Sequence, residues 1–392
     1  MDSTEQHPLS GHPRADIWHW LLHYVDPPGP TLPQLHLAPN VVEPEDISLC
    51  GRLIETFHRA VSYESEKVPP ERRPDGGMWE TLRREEHAEA YRLLAGRDAS
   101  GLAAYLANGL RTPLCFGLGP GPGMFAAMSG DRRRDITLLL LDHLAAAAEA
   151  LGVLSPECPE QGPDYGQHIG IACDRLVELI EQQLRFSIRR PKIMGLYGVA
   201  VADGVIDMRV PDDAYCVHRL AAIRGRASLE PIEIGGGFGG MALFAARAGF
   251  HRWPIVDLPV MNVVQGYFLT KCLDAGQVRL FGEDKPDAVV EVLPYWEFFD
   301  RRRHYDLVFN RDSLPEIQIE RVADYLCEIE ERQAALLSIN QEAGAPATAD
   351  TRQLNLHQII ADRGVMQCRA RHPYWVRKGY VEEYYSCDGA PR

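Results

Sequence analysis

At 392 residues the chain exceeds one typical domain, and 45% hydrophobic with 24% charged side chains describes an ordinary globular protein with room for a large core. A formal net charge of −14 argues against a broad basic face for nucleic acid while leaving a cationic substrate open. Nine cysteines without a C-x-x-C pair read as reduced thiols, buried as small hydrophobes, in a cytosolic protein.

Residues 1–15 are polar, carry Pro8 and Pro13 and have no apolar signal region, so they read as disordered and the protein as cytoplasmic. Helices are predicted over 17–24, 43–58 (with Pro44 in its first turn), 78–94 and 100–110. Segment 115–124 is glycine-rich, but Pro120 and Pro122 remove the amides a phosphate cradle would use, which makes it a loop. Residues 136–152 are apolar on nearly every side, as in a helix buried in a bundle or a subunit interface. Asp142, His143 and Glu149 make that run too charged, and it is too short, to cross a bilayer, so no membrane contact is expected. Breakers cluster at 156–166, and 169–186 is amphipathic, with Leu176, Leu179, Ile180 and Leu184 on one face. Residues 1–190 thus read as an all-α domain, of a kind that supplies a lid and a homodimer contact. Residues 191–230 connect it to the rest. A helix over 213–226 carries Tyr215 and His218 toward the site as candidate acceptor contacts, with Arg219 beside them.

Residues 231–259 form a strand, glycine turn, helix and strand that closes on a carboxylate, Asp257, which is how an α/β sheet holds a nucleoside. Gly235, Gly237 and Gly240 satisfy G-x-G-x-x-G, so these glycines alone also admit an NAD-dependent oxidoreductase. Glu233 distinguishes the two, in E-x-G-x-G-x-G with Gly235, Gly237 and Gly239. A carboxylate beside the turn repels a pyrophosphate and suits a ligand bearing an ammonium and a sulfonium, namely S-adenosylmethionine (SAM). Asp257, about 20 residues beyond the glycines, is placed to accept hydrogen bonds from ribose hydroxyls.

A helix follows over 261–273, then strands over 278–281 and 288–293. Tyr295 and Trp296 leave the third sheet strand as candidates to stack on adenine. Residues 306–310 read as the fourth strand, 314–335 as a helix, 336–340 as the fifth strand and 354–361 as a last helix. Residues 365–370 and 380–385 would be antiparallel closing strands, which dehydrogenase sheets usually lack.

The segments EIGGGFGGMALFAARAG, IVDLPVMNVVQGYFL, YDLVFNRDSLPEI and LLSINQE resemble the class I SAM-dependent methyltransferases, and among them the sugar O-methyltransferases, over residues 214–386. The resemblance implies an α/β fold, with a Rossmann-like SAM-binding catalytic domain over 231–392 joined to the N-terminal all-α domain. It further implies methyl transfer to a small polar acceptor, a sugar hydroxyl in natural-product or glycan biosynthesis. Arg311 and Asp312 replace that family's usual small pair, and Pro315 follows Leu314. This departure keeps open an N-methyltransferase for an amino or guanidino group such as that of arginine.

Methyl transfer needs alignment above all, plus a proton acceptor when the attacking group is a hydroxyl. Where the fourth strand ends, Asn310 is a cofactor contact, Asp312 and Glu316 are catalytic candidates and Ser313 is an acceptor contact. Residues 313–316 also read S-x-x-E, a capping box for the next helix. His357, after the fifth strand, is a further candidate base. Asp312 and Glu316 lack an accompanying H-x-x-x-D or H-x-H pattern, so no metal is expected.

Overall fold

The computed structural model describes residues 32–37, 41–74, 77–115, 130–227, 230–274, 276–344 and 352–387. The expected disorder at 1–15, the 17–24 helix and most of the 115–124 loop lie outside these residues.

The sheet is built from β4 (Pro231–Ile234), β5 (Trp253–Asp257), β6 (Val278–Leu280), β7 (Val290–Pro294), β8 (Leu307–Arg311), β9 (Ala335–Gln341), β10 (Gln367–Pro373) and β11 (Tyr380–Ser386). Its order is β10-β11-β9-β8-β4-β5-β7-β6. Strands β4 to β9 are parallel, whereas β11 runs antiparallel between β9 and β10. This is a Rossmann-like parallel sheet, with the antiparallel closing strands expected from the sequence. Strands β4 and β7 are buried along their whole length, as parallel strands covered on both faces must be. The chain leaves β4 toward β5 on one side and returns to β8 on the other. The topological switch, where open α/β sheets bind ligands, therefore lies at the carboxyl ends of β4 and β8.

The N-terminal half contributes α1 (Pro44–Lys67), α2 (Gly77–Glu85), α3 (Ala88–Ala95), α4 (Ala99–Leu106), α5 (Gly130–Ala150) and α6 (Cys173–Leu184). It also carries a three-stranded antiparallel sheet of β1 (Leu35–Leu37), β2 (Tyr197–Val201) and β3 (Gly204–Ile206), which helical periodicity does not reveal. Pro44 takes the first turn of α1, as its fixed φ favours. Helix α7 (Val210–Ala227) precedes β4. The sheet helices are α8 (Gly240–Arg247), α9 (Pro259–Cys272), α10 (Ile319–Glu331) and α11 (Leu356–Arg363).

One apolar cluster runs from Leu53 of α1 through Leu140 and Leu144 of α5 to Phe244 and Phe268 against the sheet. Helices α6, α7 and strand β2 of the same chain cover the apolar face of α5, while Leu139 (48% exposed) and Asp142 stay on its open side. Helix α1 lies on α9, where Arg52 grips Glu283 of the β6–β7 connection through both carboxylate oxygens (2.5 and 2.7 Å). Lys271 meets Asp46 at 2.5 Å. The end of α1 therefore stands over the carboxyl edge of the sheet. No helix among the described residues is long and apolar enough to cross a membrane.

Candidate active site

A cavity of about 780 Å³ opens at the switch point, in the upper part of the range of small-molecule sites. Its floor is the glycine turn after β4. Gly235, Gly237 and Gly239 all have positive φ (74°, 55° and 99°), which explains the glycine spacing. A Cβ at Gly235 would also collide with Ser313 on the facing β8 turn.

Two carboxylates flank this turn. Glu233 is 4% exposed, and its Oε2 accepts a hydrogen bond from Trp253 Nε1 at 2.8 Å. Burial pushes its carboxyl up to about 7 even though the indole N–H favours the charged form. Asp257 accepts from the Leu258 amide (2.8 Å) and from Gln265 Nε2 (2.7 Å). Burial outweighs these bonds as well and pushes Asp257 up to about 7. Gln265, fully buried on α9, also donates to the Gly237 carbonyl (3.0 Å) and so ties the turn to the acid. Sequence reasoning missed it, since an interior glutamine carries no motif.

On the β7 side, Tyr295 and Trp296 line the cavity as expected, but each ring is already engaged by α1. Tyr295 donates to Glu64 at 2.8 Å, and Trp296 stacks on Tyr63 with ring centroids 5.7 Å apart. Tyr63, Val68 and Trp79 close this end, so α1 and the start of α2 form part of the cavity wall.

At the β8 turn Asp312, Ser313 and Glu316 all line the cavity. The capping-box expectation for 313–316 fails. Ser313 makes no capping bond, a short 3₁₀ turn (Leu314–Glu316) follows it, and α10 starts only at Ile319. Instead Ser313 Oγ donates to the Ile234 carbonyl at 2.8 Å, which leaves the Glu316 side chain to the cavity. Glu316 accepts from Gln353 Nε2 at 3.1 Å. Burial first, and the Asp312 charge second, push its carboxyl up to about 7.

Asp312 differs from expectation in its partners. Its Oδ2 accepts from Arg209 Nη1 (3.1 Å) and Arg377 Nη1 (3.3 Å), so it is not an open carboxylate awaiting a cation. Burial opposes its charge, but the two guanidiniums hold its carboxyl below the usual range. Its φ of 68° is left-handed, a strained conformation that Asp tolerates better than most residues. Arg311 is anchored by Asp213 Oδ1 at 2.5 Å. Asp213 also pairs with the fully buried Arg190, which bonds Asp207 at 2.6 Å.

Other predicted residues fall away from the cavity. Asn310 is fully buried and spends its amide on the Ile234 carbonyl (3.2 Å), Ser313 Oγ (2.5 Å) and Asn340 (3.1 Å). It stitches β8 to β4 and β9 rather than facing a ligand. Tyr215 donates to Glu382 of β11 at 2.7 Å, and neither Tyr215 nor His218 lines the cavity. His357 sits against Glu383 (2.7 Å) and Tyr385 (3.0 Å), also away from it.

Two clusters outside the cavity, Glu149 with Glu157 and His168, and Glu342 with His357 and Glu383, bring ligand-type atoms within 4.8 Å of one another. In the second, Arg371 already bridges both carboxylates. In the first, His168 and Trp375 occupy Glu149.

Neither a family model nor a curated protein matches the chain. Solved structures resemble it at low identity. The glycopeptide N-methyltransferase MtfA complexed with sinefungin is 13% identical, covering 44% of this chain and 92% of that one, with a TM-score of 0.35. The magnesium protoporphyrin IX methyltransferase of Synechocystis PCC 6803 with bound SAH gives 14%, 47%, 89% and 0.34. The mitomycin 7-O-methyltransferase MmcR gives 12%, 68%, 100% and 0.33. These likenesses are loose, and the strand order of the sheet itself is the firmer sign of the fold.

Proposed function

We propose that the protein is a SAM-dependent methyltransferase acting on a hydroxyl of a small polar acceptor, of sugar type by the sequence resemblance. The observation that carries this reading is the placement of Glu233 and Asp257. Two carboxylates in a largely buried wall flank a glycine turn at the switch point; burial disfavours their charged forms, and a cation placed beside them would offset that cost. A pyrophosphate would lie against Glu233, which disfavours NAD.

Bound there, SAM would supply a methyl group activated by its sulfonium. Asp257 would take the ribose hydroxyls and Glu233 would face the positive charge. Glu316 is the candidate base, within the cavity and with a pKa near neutrality, where a base operates best. Helix α1 and the residues after it would exclude water. On this reading residues 1–190 serve as the lid and 231–392 carry the chemistry.

Calorimetric titration with SAM, its demethylated product SAH and NAD tests the donor. We expect SAM and SAH to bind and NAD not to; the reverse would overturn the reading. Mass spectrometry of sugars, phenols, arginine and lysine incubated with labelled SAM tests the acceptor.

A further inference from the structure

Glu316 is held through one of its two oxygens. Oε1 accepts from Gln353 Nε2 at 3.1 Å, whereas Oε2 has no hydrogen-bond partner among the described residues. A base works best with this division, one oxygen fixed and the other open to the proton it takes.

The chain around Gln353 is itself pinned. Leu354, the next residue, donates its amide to the Pro315 carbonyl at 2.8 Å and packs against the cluster that contains Leu314 and Leu356. Asn355 caps α11, its side chain accepting from the Gln358 amide at 3.1 Å. Pro315 adjoins Glu316, so the backbone bond sets the two side chains in register. The Gln353 amide is turned to give Nε2 to Glu316, and this leaves its Oε1 buried with no hydrogen-bond partner. An interior oxygen left unpaired costs stability, and such costs are tolerated where function requires them. What the orientation gains is the donation to Glu316.

The other groups that act on Glu316 are charged. Asp312 of the β8 turn and Asp257 at the end of β5 oppose its charge, and Arg209 ahead of α7 favours it. Arg321 of α10, and Arg377 and Lys378 of the β10–β11 connection, also line the cavity. Arg209 and Arg377 are both engaged by Asp312. Gln353 is the neutral donor of the set, and its hydrogen bond fixes a direction as well as favouring the charged form.

We propose, resting on Glu316 as the base of a methyltransferase, that Gln353 is a positioning residue of the reaction: it holds Oε1 and leaves Oε2 to the acceptor hydroxyl. The hydroxyl proton passes to Oε2 as the oxygen takes the methyl group and the sulfonium becomes a thioether. The Gln353 N–H stays on Oε1 throughout.

The test is the titration of Glu316 in ligand-free protein, followed by carbon NMR of carboxyl-labelled glutamate, with the signal assigned by its loss in Glu316→Gln. It needs neither donor nor acceptor. SAH binding and transfer from labelled SAM are measured separately on the wild type, and failure there strikes the methyltransferase reading, whereas the titration strikes or supports Gln353. Starting from about 7, the midpoint should rise by about one unit in Gln353→Met, which removes the donor, and fall in Gln353→Lys, which supplies a cation. With the acceptor of the sugar, phenol, arginine and lysine panel that is methylated, kcat of Gln353→Met should then drop about fivefold at pH 7 and less than about twofold at pH 9. Gln353→Lys carries the test if Gln353→Met fails to fold. A midpoint unmoved in the folded variants, or a kcat deficit equal at both pH values, would overturn the proposal and leave Gln353 a structural contact.

Discussion

Trp253 Nε1 donates to Glu233 Oε2 at 2.8 Å from the neighbouring strand, and both residues are buried. Burial pushes Glu233 toward its neutral form, and the indole N–H is the first opposing influence. Trp253→Phe keeps the aromatic packing but removes that donor. Glu233 should then be neutral over a wider pH range, and SAM affinity at pH 7 should fall by about tenfold, the value of one hydrogen bond to a charged group. Titrations at pH 6, 7 and 8.5 check this: the deficit should shrink as the pH rises. A deficit independent of pH would mean that Glu233 does not act through its charge.

Asp257 makes a prediction about stability as well as binding. Its carboxyl sits at about 7 in the fold, against 3.8 as the ordinary value. Between those limits the folded state holds more protons than the unfolded one, so Asp257 lowers stability progressively as pH rises from about 4 to about 7. Asp257→Asn removes that penalty. The ligand-free variant should melt above the wild type at pH 8 and level with it at pH 4, while binding SAM about ten- to hundredfold more weakly. A variant less stable than the wild type at pH 8 would contradict the burial argument.

Glu316 separates catalysis from helix capping. Because no capping box forms at 313–316, Glu316→Gln should melt no lower than the wild type while lowering kcat by about 10²- to 10⁴-fold, the usual worth of a general base. Wild-type activity should rise as pH passes about 7, where Glu316 loses its proton, and this limb should vanish in the variant. Unfolding with kcat preserved per folded molecule would restore the capping role.

The donor end of the site is readable from sequence because its signals are local. Glu233, the glycines and Asp257 lie on one β-turn-α-β unit, and β4, α8 and β5 follow in the expected order within 231–259. The acceptor end is not readable. Arg209, Asp312 and Arg377 meet across 65 to 103 residues of chain, so no window contains their relationship. The S-x-x-E pattern misleads because the left-handed turn at Asp312 aims Ser313 at the β4 carbonyl, a tertiary bond that outcompetes a cap. Tyr215 misleads for a different reason: on α7 it faces Glu382 together with Arg219, whereas Asp213 on the same helix reaches the cavity.

Arg190 supports the final prediction. It is fully buried, bonded to Asp207 and Asp213, with the rings of Phe238 and Phe244 at 4.8 and 5.2 Å. Removing it leaves Asp207 without its ion pair in the interior and Asp213 with Arg311 alone, so Arg190→Met should cost about 3–5 kcal/mol in urea unfolding. Gly240 lies against the same group, and a Cβ there would collide with the Arg190 guanidinium and the Asp213 carboxylate. Gly240→Ala alone should therefore be destabilising. In the Arg190→Met background the added methyl has room, because the guanidinium is gone and Asp213 is released. The double variant should be more stable than the sum of the single losses predicts by about 1 kcal/mol or more. Strict additivity would show that Gly240 is required for its backbone alone and that the ion-pair network does not set the shape of the turn.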